Sequence, residues 1–129
     1  MNSGPNSQRR TILVIDDEHG VLEMVKAALE SEGYAVHAAS NADEGIKLYE
    51  EHWRNIELVL LDFLMPGMTG DHVLECLQSL DPDVRVVLLT ANKYSFQRHL
   101  HASSILGCLE KPFELAELSE RVREALTPA

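Results

Sequence analysis

Five polar side chains, Asp16, Asp17, Asp62, Thr90 and Lys111, stand at or just beyond the ends of apolar segments. Asp16 and Asp17 close Ile12-Leu13-Val14-Ile15, Asp62 closes Leu58-Val59-Leu60-Leu61, Thr90 closes Val86-Val87-Leu88-Leu89, and Lys111 lies two residues beyond Leu109. Three carboxylates, a hydroxyl and an ammonium suit a divalent cation and a phosphoryl group. Hard carboxylate oxygens with open positions favour Mg2+, which keeps waters and bridges readily to phosphate. Asp62 is the candidate nucleophile, since a carboxylate can become an aspartyl phosphate. Lys111 is suited to pair with one phosphoryl oxygen and Thr90 to donate to another, with the backbone N–H groups of Phe63 and Ala91 as remaining donors. Such transfer asks for positioning and charge neutralisation more than for covalent assistance.

These groups meet only if the segments are parallel strands of one sheet, because parallel strands share the edge at which they end and ligands bind there, near the point where strand order reverses. Taken singly, each has a plainer explanation: an Asp-Asp pair after a strand is often a helix cap with a solvated neighbour. Position separates the two readings, because four segments deliver a polar group to the same edge. Strands one and three flank the reversal point and bring Asp16, Asp17 and Asp62 together. Two unit charges ~4 Å apart repel by ~4 kcal/mol at a surface-like dielectric, so the triad calls for a cation.

The elements follow from periodicity. Val21, Leu22, Val25, Ala28 and Leu29 repeat at helical spacing, and Gly33 stands where that helix stops. Tyr34 to Ala38 reads as a short strand, and Asn41 as the cap of a second helix ending before Asn55. Glu57 to Leu61 is apolar on both faces, as suits a strand covered by helices on each side. Pro66-Gly67 and Gly70 mark a turn-rich loop. A third helix carries Val73, Leu74, Leu77 and Leu80 and stops at Asp81-Pro82. Val84 to Leu89 and Leu106 to Leu109 give two more strands. The last helix shows Leu115, Leu118, Val122, Ala125 and Leu126 on one stripe and stops near Thr127-Pro128. Strands alternating with helices throughout indicate a doubly wound α/β domain. Residues 1 to 10 have almost nothing to bury and are expected to form a flexible tail, leaving 11 to 127 as the folded unit.

At 129 residues, 45% hydrophobic and 25% charged, the chain suits one globular domain with a core of its own. No apolar run approaches the roughly 20 residues needed to span a bilayer, and the polar opening lacks the apolar stretch of a secretion signal, which points to the cytoplasm. Cys76 and Cys108 show no motif spacing and read as small apolar packers rather than a disulfide. A net charge of -10 opposes direct binding to a phosphate backbone.

Asp16-Asp17-Glu18, Asp62-Phe63-Leu64-Met65-Pro66-Gly67-Met68-Thr69-Gly70, Thr90-Ala91 and Lys111-Pro112-Phe113, in this order from about Thr11 to Leu126, resemble the receiver domain of two-component response regulators. The resemblance implies a flavodoxin-like, five-stranded parallel sheet in order 2-1-3-4-5 with five helices on its two faces. It implies Asp62 as phosphoacceptor, supplied from the phosphohistidine of a sensor histidine kinase or a phosphotransfer protein. It also implies Mg2+ held by Asp17 directly, by Asp16 often through water, by Asp62 and by the backbone carbonyl of Leu64. Thr90 then corresponds to the switch hydroxyl and Lys111 to the phosphate-pairing lysine. Lys111-Pro112 is similar to the family's cis peptide, and phosphorylation-dependent pairing of two copies is a further expectation.

Three positions depart from the pattern. Cys108 stands where the family usually carries Tyr or Phe as a rotamer switch. The stretch from Lys93 to His101 has weak periodicity in place of an alanine-rich fourth helix. Leu64 is apolar where many relatives are polar; obstructing the attacking water, it implies slow self-dephosphorylation, with Asn92 a polar group that partly restores water positioning. His19, His37, His52, His72, His99 and His101 show no ligand spacing beyond the close His99-His101 pair and read as solvated surface. Trp53 is expected to cover a core edge, and Met65 and Met68 to pack. Rival functions are a small Mg2+-dependent phosphatase with an aspartyl intermediate, for which the chain offers little room for a substrate cap, and an interaction domain that has kept the site without using it. Flavin and nucleotide binding lack a phosphate cradle and a glycine-rich Lys-Ser/Thr loop.

Overall fold

The computed structural model describes residues 9–91 and 103–127. In chain order the elements are β1 (Thr11–Ile15), α1 (His19–Ser31), β2 (Ala35–Ala39), α2 (Ala42–His52), β3 (Ile56–Asp62), β4 (Leu64–Met65), β5 (Met68–Thr69), α3 (Gly70–Leu80), β6 (Val86–Thr90), β7 (Ile105–Glu110) and α4 (Leu115–Leu126). Five strands form a parallel sheet in the order β2-β1-β3-β6-β7. This is the expected order, with one addition: the Pro66-Gly67 loop is framed by a two-stranded antiparallel hairpin, β4-β5. Gly67 has φ of +83° there, a conformation that L side chains rarely adopt. The expected fourth helix near Lys93 to His101 and most of the expected tail lie outside the described residues.

The continuous apolar runs are explained by the sheet's two covered faces. Leu13, Ile15, Val59, Leu61, Val86 and Leu88 enter one core with Val73, Leu74 and Leu77 of α3. Their strand neighbours Ile12, Val14, Leu58, Leu60, Val87 and Leu89 enter the other, with Leu22, Val25 and Leu29 of α1 and Leu118 and Val122 of α4. Alternation with period two therefore sends successive apolar residues to opposite cores. Trp53, Met65, Met68 and Cys108 pack on the first core, as expected, and Cys76 is half-buried on α3.

Local chemistry fixes the ends. Asn41 caps α2 by accepting from the Glu44 N–H at 2.8 Å, while Glu44 Oε1 accepts from the Ser40 N–H at 3.0 Å. Gly45 lets α2 lie against β1, since a Cβ there would come within 2.5 Å of the Ile15 side chain. Gly33, with φ of +99°, ends α1 as its spacing indicated. The histidines divide. His19 and His72 are exposed, but His37 on β2 and His52 at the end of α2 are half-buried and stack at 4.6 Å between ring centroids, so these two are not the solvated surface expected of them. His99 and His101 lie outside the described residues. No helix among the described residues is long and apolar enough to cross a membrane.

Candidate functional site

Parallel pairing carries β1, β3 and β6 to a common edge in register, with Ile15 opposite Leu61 and Asp62 opposite Leu89. The residues that follow must therefore gather. One carboxylate oxygen from each of Asp16, Asp17 and Asp62 lies within 4.8 Å of the others. Asp16 is fully buried and Asp62 nearly so, with Asp17 nearer the surface. The Asp16 backbone N–H donates to the Ala39 carbonyl at 3.1 Å, and its Oδ1 accepts from the Glu18 N–H at 2.9 Å, which orients the carboxylate.

Lys111 enters from the end of β7. Its backbone N–H donates to the Thr90 carbonyl at 2.6 Å, tying it to the end of β6, and the following bond to Pro112 is cis. The ammonium lies 2.8 Å from Asp16 Oδ2, 2.6 Å from Glu18 Oε1 and 3.6 Å from Asp62 Oδ2. Thr90 is fully buried at the neighbouring strand end. All five side chains singled out in the sequence thus stand at one sheet edge.

The electrostatics follow from this crowding. Burial is the first cause raising the Asp62 pKa, and the Asp16 charge the second; Lys111 opposes them, a hydrogen bond with Asp17 raises it further and the Leu64 N–H lowers it, leaving it at about 7. Burial alone would pull the Lys111 ammonium down, but its close contacts with Asp16 and Glu18 and the charges of Asp16 and Asp62 push it up to about 12. Asp16 Oδ2 is paired with that ammonium by charge, yet it is buried without a well-directed hydrogen bond. Three clustered hard oxygens, one of them under-satisfied, fit a divalent cation of the Mg2+ kind.

Two assignments change. The Phe63 N–H is not free to act as a phosphoryl donor, because it donates to the Leu89 carbonyl at 2.9 Å. This follows from the β3-β6 register, which the spacing of residues does not reveal. The backbone donor facing the carboxylate is that of Leu64, whose N–H lies 3.3 Å from Asp62 Oδ1. Glu18 is the second. It belongs to the site through Lys111, and the only signal in the sequence was its place directly after the acidic pair.

Fold and site together define a class: small doubly wound α/β domains with a cluster of acidic side chains at the carboxyl edge of the sheet. Residues 12–123 match the model of the response regulator receiver domain, and the chain belongs to that family, the receiver domains of two-component signalling. It is 34% identical over 117 residues to the sensor kinase CckA of Brucella abortus (strain 2308), covering 90% of this chain but 12% of that protein. It is 30% identical to the sporulation initiation phosphotransferase F of Bacillus subtilis (strain 168), covering 89% of this chain and 92% of that one. It spans about half the length of several transcriptional regulators that it also matches. Among solved structures, the response regulator TrrA of Thermotoga maritima, in complex with Mg2+ and BeF, superposes with a TM-score of 0.79 at 33% identity, covering 91% of this chain and 99% of that one.

Proposed function

We propose that Asp62 accepts a phosphoryl group from the phosphohistidine of a sensor histidine kinase or a phosphotransfer protein, and that Asp16, Asp17, Asp62 and the Leu64 carbonyl hold the Mg2+ this requires. An Asp62 oxygen forms the new P–O bond as the P–N bond of the phosphoimidazole breaks, and the departing nitrogen keeps the electron pair. Bound Mg2+ would supply charge neutralisation to the carboxylates and the incoming phosphoryl oxygens. Lys111 pairs with one of those oxygens, Thr90 donates to another, and the Leu64 N–H holds the carboxylate in place. The observation that carries this reading is the Lys111 ammonium 3.6 Å from an Asp62 oxygen, with two further aspartates beside it.

The phosphoryl donor needs a surface next to this edge. A groove of about 440 Å3 is lined by Val21, Met24, Pro112 and Phe113, with Glu18 and Lys111 among its walls. Met24 is 38% exposed there although it is a large apolar side chain. That supports docking of the donor protein against α1 and the start of the chain after β7. The domain's own chemistry is confined to gaining and losing the phosphoryl group on Asp62. Mass spectrometry after incubation with acetyl phosphate and Mg2+ tests the reading. A phosphate-sized gain in the wild type that is missing from Asp62→Asn is expected; equal labelling of both would refute it, and multiple turnover of an unrelated phosphoester would indicate a phosphatase instead.

A further inference from the structure

Glu18 holds the N-cap position of α1, where Ser, Thr, Asp or Asn usually turns its side chain back onto the first helical N–H groups. Its carboxylate makes no such cap. Its backbone is nevertheless committed to the helix start, the N–H donating to Asp16 Oδ1 at 2.9 Å and the carbonyl accepting from the Leu22 N–H at 2.9 Å. The side chain leaves its own helix uncapped and reaches Lys111, 93 residues away in sequence.

An ammonium has three hydrogens to give. Its two shortest contacts, to Glu18 at 2.6 Å and Asp16 at 2.8 Å, draw it toward α1, and Asp62 Oδ2 at 3.6 Å is left beyond hydrogen-bond length. The two holding arms differ in what release costs. The Asp16 side chain is fully buried, whereas that of Glu18 is 58% exposed and rehydrates as soon as Lys111 leaves.

We propose that Glu18 is a positioning residue: it latches Lys111 at the rim of the site while Asp62 is unmodified, and it lets go when the ammonium moves onto a phosphoryl oxygen. The latch rests on the reading of Asp62 as the phosphoacceptor. It opposes phosphorylation, because the contact with Glu18 must break before Lys111 can serve the incoming group. Removing its charge with its length kept, as in Glu18→Gln, should therefore speed the reaction by the worth of one exposed ion pair.

The test is the initial rate of Asp62 labelling by phosphoramidate in excess Mg2+, followed by mass spectrometry. Glu18→Gln is expected to label about two- to fivefold faster than wild type. Glu23→Gln removes the same charge from an exposed position further along α1 and is expected to label at the wild-type rate. In a Lys111→Met background, with no ammonium to hold, Glu18→Gln should bring no gain. Wild-type rates for Glu18→Gln, an equal gain in Glu23→Gln, or an undiminished gain without Lys111 would each overturn the latch. Failure of the wild type to label on Asp62 at all would instead remove the phosphoacceptor reading beneath it.

Discussion

Asp62 is an acid held against its own charge, and that makes it a pH-dependent element of stability. Its pKa in the folded protein, about 7, lies above its ordinary value of 3.8, chiefly through burial and then through Asp16. A carboxyl raised by folding contributes its full stabilisation below the ordinary value and loses it as pH rises through the folded one. The metal-free wild type therefore loses stability between about pH 4 and pH 7 from this group, whereas Asp62→Asn, which does not ionise, escapes the loss. At pH 8 without metal, Asp62→Asn should melt about 3–5 °C above wild type, on the order of 1 kcal/mol. The gap should shrink toward pH 5, and at pH 8 excess Mg2+ should narrow it by stabilising the wild type. Melting curves at the two pH values decide this, and a gap that widens in acid would show that the sign is wrong. Leu64 carries a second prediction at this scale. Its N–H faces Asp62 while its side chain is 56% exposed beside the site, offering an attacking water no hydrogen-bond partner. Leu64→Asn should shorten the phosphoryl lifetime by about twofold or more, since a group that positions water aids its attack. Decay of the labelled proteins measures it, and a longer-lived variant would count against the role given to Leu64.

The elements were legible wherever one face or both had to be apolar. The run from Leu58 to Leu61 reads as a buried strand because its residues alternate between two cores, and Asn41 reads as a cap because its side chain meets the Glu44 N–H. The ends were less legible, since pairing rather than composition sets them. Val84 looks like the start of a strand, yet its N–H donates to the Asp81 carbonyl at 3.0 Å in a turn, and β6 begins at Val86. The β4-β5 hairpin was hidden because two-residue strands around Pro-Gly have no periodicity to show. The roles of Phe63 and Glu18 and the His37–His52 stack were hidden for a related reason: register and long-range contact decide them, and neither is written locally. Gly45 shows how tightly one element constrains another. A glycine inside a helix normally costs stability relative to alanine, but here Ile15 occupies the space a Cβ would need. Gly45→Ala should therefore destabilise by about 1–3 kcal/mol instead of stabilising, as overpacking does in a dense core. Urea unfolding checks this, and Ile15→Val in the same chain should recover part of the loss by making room.

Over the whole molecule the two edges of the sheet have opposite characters. The carboxyl edge gathers Asp16, Asp17 and Asp62, with Lys111 set against Asp16, Asp62 and Glu18, within a chain whose net charge is -10. At the amino edge stand Arg10, just before β1, and Arg85, just before β6. Arg10 Nη1 donates to the Leu126 carbonyl at 2.7 Å and Arg85 Nη2 to the Ala125 carbonyl at 2.6 Å. Both guanidinium groups thus close the last turn of α4, where carbonyls lack helical partners and the helix dipole is negative. Arg10 also lies 4.0 Å from Glu57 at the start of β3, a contact too exposed to add much. The consequence is a separation of duties: cations at one edge hold the terminal helix to the sheet, while the other edge is left acidic enough to call for a metal. Arg10→Ala and Arg85→Ala should each lower unfolding free energy by about 1–2 kcal/mol, the range for charge-assisted hydrogen bonds. Neither touches Asp62, so the rate of Asp62 labelling at a temperature where both variants are folded should match wild type. Denaturant midpoints together with labelling rates measure the two duties independently. A variant that labels slowly while remaining fully folded would show that closure of α4 at one edge is coupled to the acidic site at the other.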